Sequence, residues 1–261
     1  MADSRRPATR PDWRARIRSR TGRTRADAKV RLSDAQNHLI EILPRKDRLR
    51  LIALCEPVQL VFADVLCEPA QPTRHVYFPV DSFISLLKPT GDKAALEGGM
   101  VGREGMLGVQ LALGVQLVPS RALVQGPGKA WRIGARAFRG ELSRSAALRH
   151  TLHRYVYVVM VQLAASAACV RFHEIGPRLA RWLLMSHDRA HADSFRATHE
   201  FLAYRLGVRR VGVTRAAGAL QHGKLIEYRR GALTVLDRPG LEAVACSCYA
   251  ADRLSYADLL E

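Results

Sequence analysis

Apolar residues first recur at helical spacing. Leu39, Ile42 and Leu43, then Leu49, Ile52 and Ala53, fall three and four residues apart, and Pro44 between them predicts two short helices within 34–54. From 57 to 133 the pattern changes. Val58, Leu60 and Phe62 alternate along the chain, and short apolar runs follow at 75–78, 83–87, 107–118, 123–124 and 131–133. Glycine and proline separate them at 68–69, 88–91, 98–108 and 126–128. Many short strands between such turns predict a small barrel or jelly roll. No helical pattern lies between the runs, which disfavours a parallel α/β sheet.

The helical period returns at 135. A short helix is expected over 135–142 and a long one over 145–171, uninterrupted by Gly or Pro. The long helix carries Leu152, Val156, Val159, Leu163, Ser166 and Val170 at spacings of four and three. That is a heptad-like seam, and it predicts a helix pairing with a second copy of itself. Ala164, Ala165, Ala167 and Ala168 permit close approach, while Tyr155, Val158 and Met160 form a second face that could meet the barrel. Gly176-Pro177 is expected to break the chain before a helix over 178–189 that buries Leu179, Trp182 and Leu183, with a polar loop over 190–196.

The stretch from 198 to 236 is the most informative. Thr198 can cap a helix whose apolar face is Phe201, Leu202 and Leu206. Gly207 then permits a sharp turn, and Val208 fills the angle before a second helix over 209–222. Val213, Ala216, Ala217 and Leu220 make the inner face of that helix, leaving Arg209, Arg210, Thr214, Arg215 and Gln221 on its other sides. These are the lengths of a helix-turn-helix, whose second helix enters the DNA major groove, where arginine can donate two hydrogen bonds to guanine. Short strands at 225–228 and 233–236 flank Arg229, Arg230 and Gly231, a basic hairpin suited to touching phosphates.

Charge supports this picture. The 261 residues hold 41 Lys and Arg against 24 Asp and Glu, a net +17, which favours a polyanionic partner. Residues 1–31 contribute +8 (11 basic against 3 acidic) with few aliphatic side chains, and read as a basic arm in preference to a transit peptide. No apolar run reaches the roughly 20 residues of a membrane span, because Gln162 interrupts the longest and Arg154 and Arg171 bound it. The five cysteines, Cys55, Cys67, Cys169, Cys246 and Cys248, are irregularly spaced without a CxxC pair, and Cys246-Ser-Cys248 is too tight for a normal zinc knuckle. They read as buried or indifferent thiols of a reducing, cytoplasmic compartment. No metal or cofactor is expected.

The run Leu206-Gly-Val-Arg-Arg-Val-Gly-Val-Thr-Arg215, with Leu225-Ile226 after the helix, resembles bacterial transcription regulators related to the cyclic-AMP receptor protein and the fumarate-nitrate reduction regulator. His75-Val-Tyr-Phe-Pro79 and Val101-Gly-Arg-Glu-Gly-Met-Leu-Gly108 are similar to the barrel of one subgroup, and the likeness extends over 39–249. The resemblance implies an α+β chain: a basic arm (1–31), a cyclic-nucleotide-binding-like β-roll with flanking helices (32–142), a dimerisation helix (143–171), a winged helix-turn-helix (172–249) and a C-terminal tail (250–261). It implies a homodimer on two-fold symmetric double-stranded DNA, RNA polymerase as a further partner and a small-molecule effector of unknown identity.

The resemblance also assigns roles. Arg210 and Arg215 stand where the recognition helix carries base-reading arginines, with Arg209 just before, and Thr198 matches the helix-start residue that grips phosphate. The usual glutamate between the arginines falls on Val211, so the half-site should differ from that of the nucleotide-binding founder. The effector pocket departs further. Gly102 and Glu104 match its glycine–glutamate pair, but Ser120-Arg121 places the phosphate-holding arginine one position off, turned to the other face of a strand. The pocket therefore reads as degenerate and unable to hold cyclic AMP. The cysteine cluster of iron–sulfur members is lacking, and His75, His150 and His153 read as packed or solvated side chains and not as haem ligands.

Other classes are weaker. No nucleophile–base–acid set declares an enzyme, and no Gly-Lys-Ser/Thr follows the glycines near 98–108 to make a phosphate loop. His187, His191 and His199 with Asp188 and Asp193 fit no zinc spacing and read as a polar linker. A basic interaction module with nonspecific DNA affinity, and behind it a cyclic-nucleotide-responsive regulator, are the remaining alternatives.

Overall fold

A computed structural model describes residues 36–90, 94–190, 192–229 and 231–260. The basic arm, Arg230 and His191 lie outside these residues.

Helices α1 (His38–Glu41) and α2 (Arg45–Ala53) meet at Pro44, the N-cap of α2, and bury Leu39, Ile40, Leu51 and Ile52. The strands that follow are β1 (Glu56–Leu60), β2 (Val65–Cys67), β3 (His75–Pro79), β4 (Phe83–Thr90), β5 (Ala94–Val101), β6 (Arg121–Gly126) and β7 (Gly128–Gly134). They form two antiparallel sheets ordered β1-β7-β3 and β2-β6-β4-β5. Leu60, Tyr77, Ile84, Val101, Val124 and Ala130 fill the interior between the sheets. Side chains alternate across a strand, so Val76, Phe78, Trp131 and Ile133 point the other way and join a second core beneath the helices. The apolar run expected at 107–118 contains no named strand. It forms a 3₁₀ turn, Val109–Leu113, between Gly108 and Gly114, both in the left-handed region at φ of 102° and 76°.

Helix α3 (Ala135–Arg144) closes the roll, and α4 (Ala146–Phe172) runs 27 residues from Ser145, whose side chain accepts from the Leu148 amide at 3.0 Å. Helix α5 (Ile175–Ala190) begins before Gly176-Pro177, not after it. Proline in a first turn lacks only an N–H that would have no helical partner, so it does not end the helix. The chain breaks instead at His173, the extended C-cap of α4.

The C-terminal domain follows as β8 (Ser194–Arg196), α6 (His199–Leu206), α7 (Arg210–His222), β9 (Ile226–Arg229), β10 (Ala232–Val235), α8 (Arg238–Val244) and α9 (Cys248–Leu260). The loop expected over 190–196 supplies β8, which completes a β8-β10-β9 wing sheet. The core joins Leu179, Leu183, Leu202, Val213, Leu220 and Leu233 and takes in Phe83 and Met100 from the β-roll.

Three expectations are corrected. The tail expected at 250–261 is the helix α9, which packs along α4 and sends Leu260 into the core of the β-roll, with Tyr256 and Leu259 against it. Its stripe was hidden because Asp252 interrupts it, and that carboxylate is buried against Arg181, whose Nε donates at 3.1 Å. Next, the stripe expected to pair α4 with a second copy is partly taken up by the chain's own core. Leu152 is fully buried in the chain's own core with Tyr155 and Val158, and Val159 packs against them. Ser166 lines the groove beside β5 and α5, within reach of Arg181 (3.4 Å). The exposed line is His153, Tyr157, Met160, Ala164, Ala167 and Arg171, each one residue beyond the predicted stripe. Leu163 and Val170 lie at its edge and stay largely exposed, whereas Val156 is half-buried, as is Val159. Finally, α4 is long and apolar enough to cross a membrane by length and composition, which the sequence was not expected to offer. A single polar Gln162 does not break such a window, and soluble core helices meet the same criterion. One face of α4 is buried inside this fold.

Candidate nucleic-acid interface

Helix α7 is positioned from its N-terminal side. Thr198 Oγ1 accepts from the Phe201 amide at 3.1 Å and starts α6. At the far end Gly207 is left-handed at φ 64°, where a side chain would be strained, and the chain turns into α7 within three residues. Val213, Ala216, Ala217 and Leu220 anchor α7 inward. Arg209, its N-cap, together with Arg210, Val211, Thr214, Arg215, Gly218 and Gln221, faces outward. Among the described residues Arg209, Arg210 and Arg215 form no ion pair. The start of α7 thus presents open amides and three unpaired guanidinium groups in one place. Replacing Thr198 with Ala removes the α6 cap and should lower stability by about 1 kcal/mol, measured by urea denaturation, while α7 side chains stay in place.

A chain of side-chain contacts braces the outer face of α7. Thr214 Oγ1 donates to the Arg210 carbonyl at 3.1 Å and accepts from His199 Nδ1 at 3.0 Å. The His199 ring stacks on Tyr228 of β9, with centroids 4.4 Å apart. Burial, then the nearby Arg210 charge, lowers the His199 pKa, which favours the neutral ring this arrangement uses. The sequence put Thr214 on the outer side of α7, but it left His199 in a polar linker and gave no sign that it meets Tyr228, a contact made only when the wing folds back on α6. In the wing, Arg229 is highly exposed, 3.8 Å from Glu227, and Gly231 makes the turn at φ 82°.

The domain is held to the β-roll by buried charge. Arg205 on α6 pairs with Glu97 of β5 at 2.9 Å, both almost wholly enclosed. Trp182 Nε1 donates to Glu97 Oε1 at 3.0 Å, and Arg205 Nη2 donates to Gln125 Oε1 of β6 at 3.3 Å. Desolvation raises the Glu97 pKa and lowers that of Arg205 despite their attraction. Neither residue carried a motif.

The proposed effector residues are occupied by other partners. Glu104 Oε1 accepts from the Gly102 amide at 3.0 Å and pairs with Arg189 of α5 at 2.7 Å. Glu104 faces a cavity of about 550 Å³ between α5 and α9, bordered by Arg103, Asp188, Tyr249 and Arg253. Arg121, at the start of β6, pairs with Glu68 at 2.8 Å, and the Ser120 carbonyl lies 3.9 Å from the Cys67 thiol. Among the described residues, His187 and His199 have separate partners. His187 bridges Asp193 (2.8 Å) and Arg238 (2.8 Å), while His199 contacts Thr214 on the outer face of α7. Three cysteines, by contrast, are not scattered. Cys169, Cys246 and Cys248 pack as one buried group. Their separation along the chain concealed this, since local spacing rules cannot see a pair 77 residues apart.

A two-sheet roll, a long helix and a winged helix-turn-helix with a free arginine face define a DNA-binding regulator fold. Residues 177–244 match the family model of the Crp-like helix-turn-helix domain. FixK2 from Bradyrhizobium japonicum shares the architecture at 13% identity and a TM-score of 0.62, over 74% of this chain and 98% of that one. The c-di-GMP responsive global regulator CLP of Xanthomonas campestris is similar at 16% identity and a TM-score of 0.60, over 74% and 99%. TTHA1359, a transcriptional regulator from Thermus thermophilus, is similar at 20% identity and a TM-score of 0.60, over 73% and 98%. No curated protein sequence matches the chain. The domain match places a Crp-like helix-turn-helix domain at residues 177–244, and the solved structures share the fold of the larger chain around it.

Proposed function

We propose that the chain is a cytoplasmic, sequence-specific transcription regulator that binds two-fold symmetric DNA as a homodimer and does not respond to cyclic AMP. The observation that carries this reading is the outward face of α7, where Arg209, Arg210, Thr214 and Arg215 stand together without competing acidic partners among the described residues. Arg210 and Arg215 read guanine edges. Arg209, Thr198 and the wing arginines Arg229 and Arg230 hold phosphates and set the register. The exposed face of α4 pairs with its copy and spaces the two reading helices by about one DNA turn, roughly 34–36 Å. The engagement of Glu104 by Arg189 and of Arg121 by Glu68 supports a β-roll that takes an effector other than cyclic AMP. RNA polymerase is the further partner in this reading.

Selection of bound sequences from random DNA by the purified protein, with and without cyclic AMP, tests the proposal. A palindrome independent of the nucleotide is expected. A motif appearing only with cyclic AMP would overturn the reading of the pocket, and salt-sensitive binding without any motif would support the interaction-module alternative. On the selected site, Arg210→Ala and Arg215→Ala should each lose roughly 1–3 kcal/mol of preference over random DNA. Equal losses on both DNAs would reduce these arginines to phosphate contacts.

A further inference from the structure

The end of α4 and the junction of α8 with α9 bring together four side chains with the chemistry of a metal centre. Cys169 lies in the last turn of α4, and His173, four residues on, is its C-cap. Cys246 lies between α8 and α9, and Cys248 is the first residue of α9. The Cys169 and Cys246 sulfurs are 3.5 Å apart, and the Cys248 sulfur is 3.6 Å from His173 Nδ1. All four ligand atoms lie within 4.8 Å of one another.

We propose that Cys169, His173, Cys246 and Cys248 form a structural site for a single thiophilic divalent cation, zinc by preference. This inference stands apart from the DNA-binding reading. Zinc bonds of about 2.3 Å to sulfur and 2.0–2.1 Å to nitrogen give tetrahedral edges of about 3.8 Å between sulfurs and about 3.6 Å between sulfur and nitrogen. The two short separations match those edges, and the whole set needs only sub-ångström to one-ångström contraction. The enclosed space suits one ion and not a multi-iron core. Burial fits the closed, four-ligand kind of centre, since all three cysteines are buried and His173 is half-buried. Cys248 is the first residue of the 13-residue helix α9, so its sulfur lies by the helix's positive end. A disulfide between Cys169 and Cys246 is the competing chemistry, but it leaves the convergence of His173 and Cys248 without a purpose.

The position gives the ion a defined task. His173 and Glu174 join α4 to α5, where the long helix hands over to the DNA-binding domain. A bound ion would tie that joint to the segment leading into α9, and α9 returns along α4. Loading should therefore stiffen the joint.

The test uses the full chain, purified reduced and without chelator. Elemental analysis should find one zinc per chain. Stripped protein titrated with cobalt(II) should develop the intense visible absorption of a tetrahedral thiolate complex, and zinc should bleach it. Cys248→Ser and His173→Ala should each weaken cobalt binding at least about tenfold, and Cys67→Ser, remote from the cluster, should leave it unchanged. Zinc should raise the melting temperature of the wild type and not of Cys246→Ser. If a cysteine variant fails to fold, the wild-type cobalt spectrum still decides. Absence of zinc and of any cobalt complex overturns the proposal. So does a Cys169–Cys246 disulfide that forms equally well in wild type and His173→Ala, with no metal bound to the reduced protein.

Discussion

Replacing Arg205 with Met should destabilise the protein by about 3–5 kcal/mol at neutral pH, among the largest single-residue effects available in this fold. The reason is not the value of the ion pair itself. Two charges removed from water roughly cancel their mutual attraction, but removing one partner leaves the other buried and uncompensated. Glu97 would keep its hydrogen bond from Trp182 and lose its only described counter-charge at contact distance. The pH dependence identifies the mechanism. Burial already raises the Glu97 pKa in the folded chain. A carboxyl raised on folding contributes fully below its unfolded pKa, and that contribution is lost as pH rises through the folded value. Without Arg205 the folded value climbs further, so the gap between variant and wild type should widen from acid toward neutral pH in urea titrations. Glu97→Gln combined with Arg205→Met should recover much of the loss, because no charge remains buried. A single-variant cost below about 1 kcal/mol, or one independent of pH, would show that water reaches the pair.

The same residues connect stability with function. Glu97 belongs to the β-roll and Arg205 to the first helix of the helix-turn-helix, so their contact fixes the angle at which α7 is presented. Arg189 with Glu104 makes a second tie of the same sense, from α5 to the turn after β5. An effector that displaced either carboxylate would loosen the DNA-binding domain without touching it.

Elements with one apolar period were legible in the sequence. The apolar runs at 75–78 and 131–133 that lie within β3 and β7, the capped start of α6, the turn at Gly207 and the inner face of α7 were all marked by local pattern. The outward arginines followed, because a helix anchored by Val213, Ala216 and Leu220 must turn Arg210 and Arg215 outward. What the pattern missed depends on distant partners. Helix α9 was hidden by Asp252, polar in sequence but neutralised by Arg181. The cysteine group was hidden by 77 intervening residues. Helix α4 is apolar on several sides, so its period alone could not say which stripe the chain's own core would take. Leu152 and Tyr155 went inward, and that choice rotated the free face by one residue.

That rotation yields the second large effect. In the proposed dimer, Ala164→Arg and Met160→Arg should each convert the protein to a monomer, seen as a halved mass in sedimentation. Both positions are exposed in the single chain, so the fold and its melting behaviour should survive. Across a two-fold axis each substitution places two like charges in a close, apolar seam where the small Ala164 and Ala167 allow helices to approach. Affinity for a full palindrome should then fall on the order of 10²–10⁴-fold, the gain that linking two half-site contacts provides, while affinity for one half-site should hold. Leu152→Ala serves as the contrast. It should cost about 2–5 kcal/mol of fold stability yet leave the folded fraction dimeric, because that side chain packs within its own chain. A dimer that survives arginine at 160 and 164 but separates on Leu163→Arg and Val170→Arg would return the seam to the predicted line. It would also require the two long helices to cross on the side nearer β5, where Leu163 approaches Gly98.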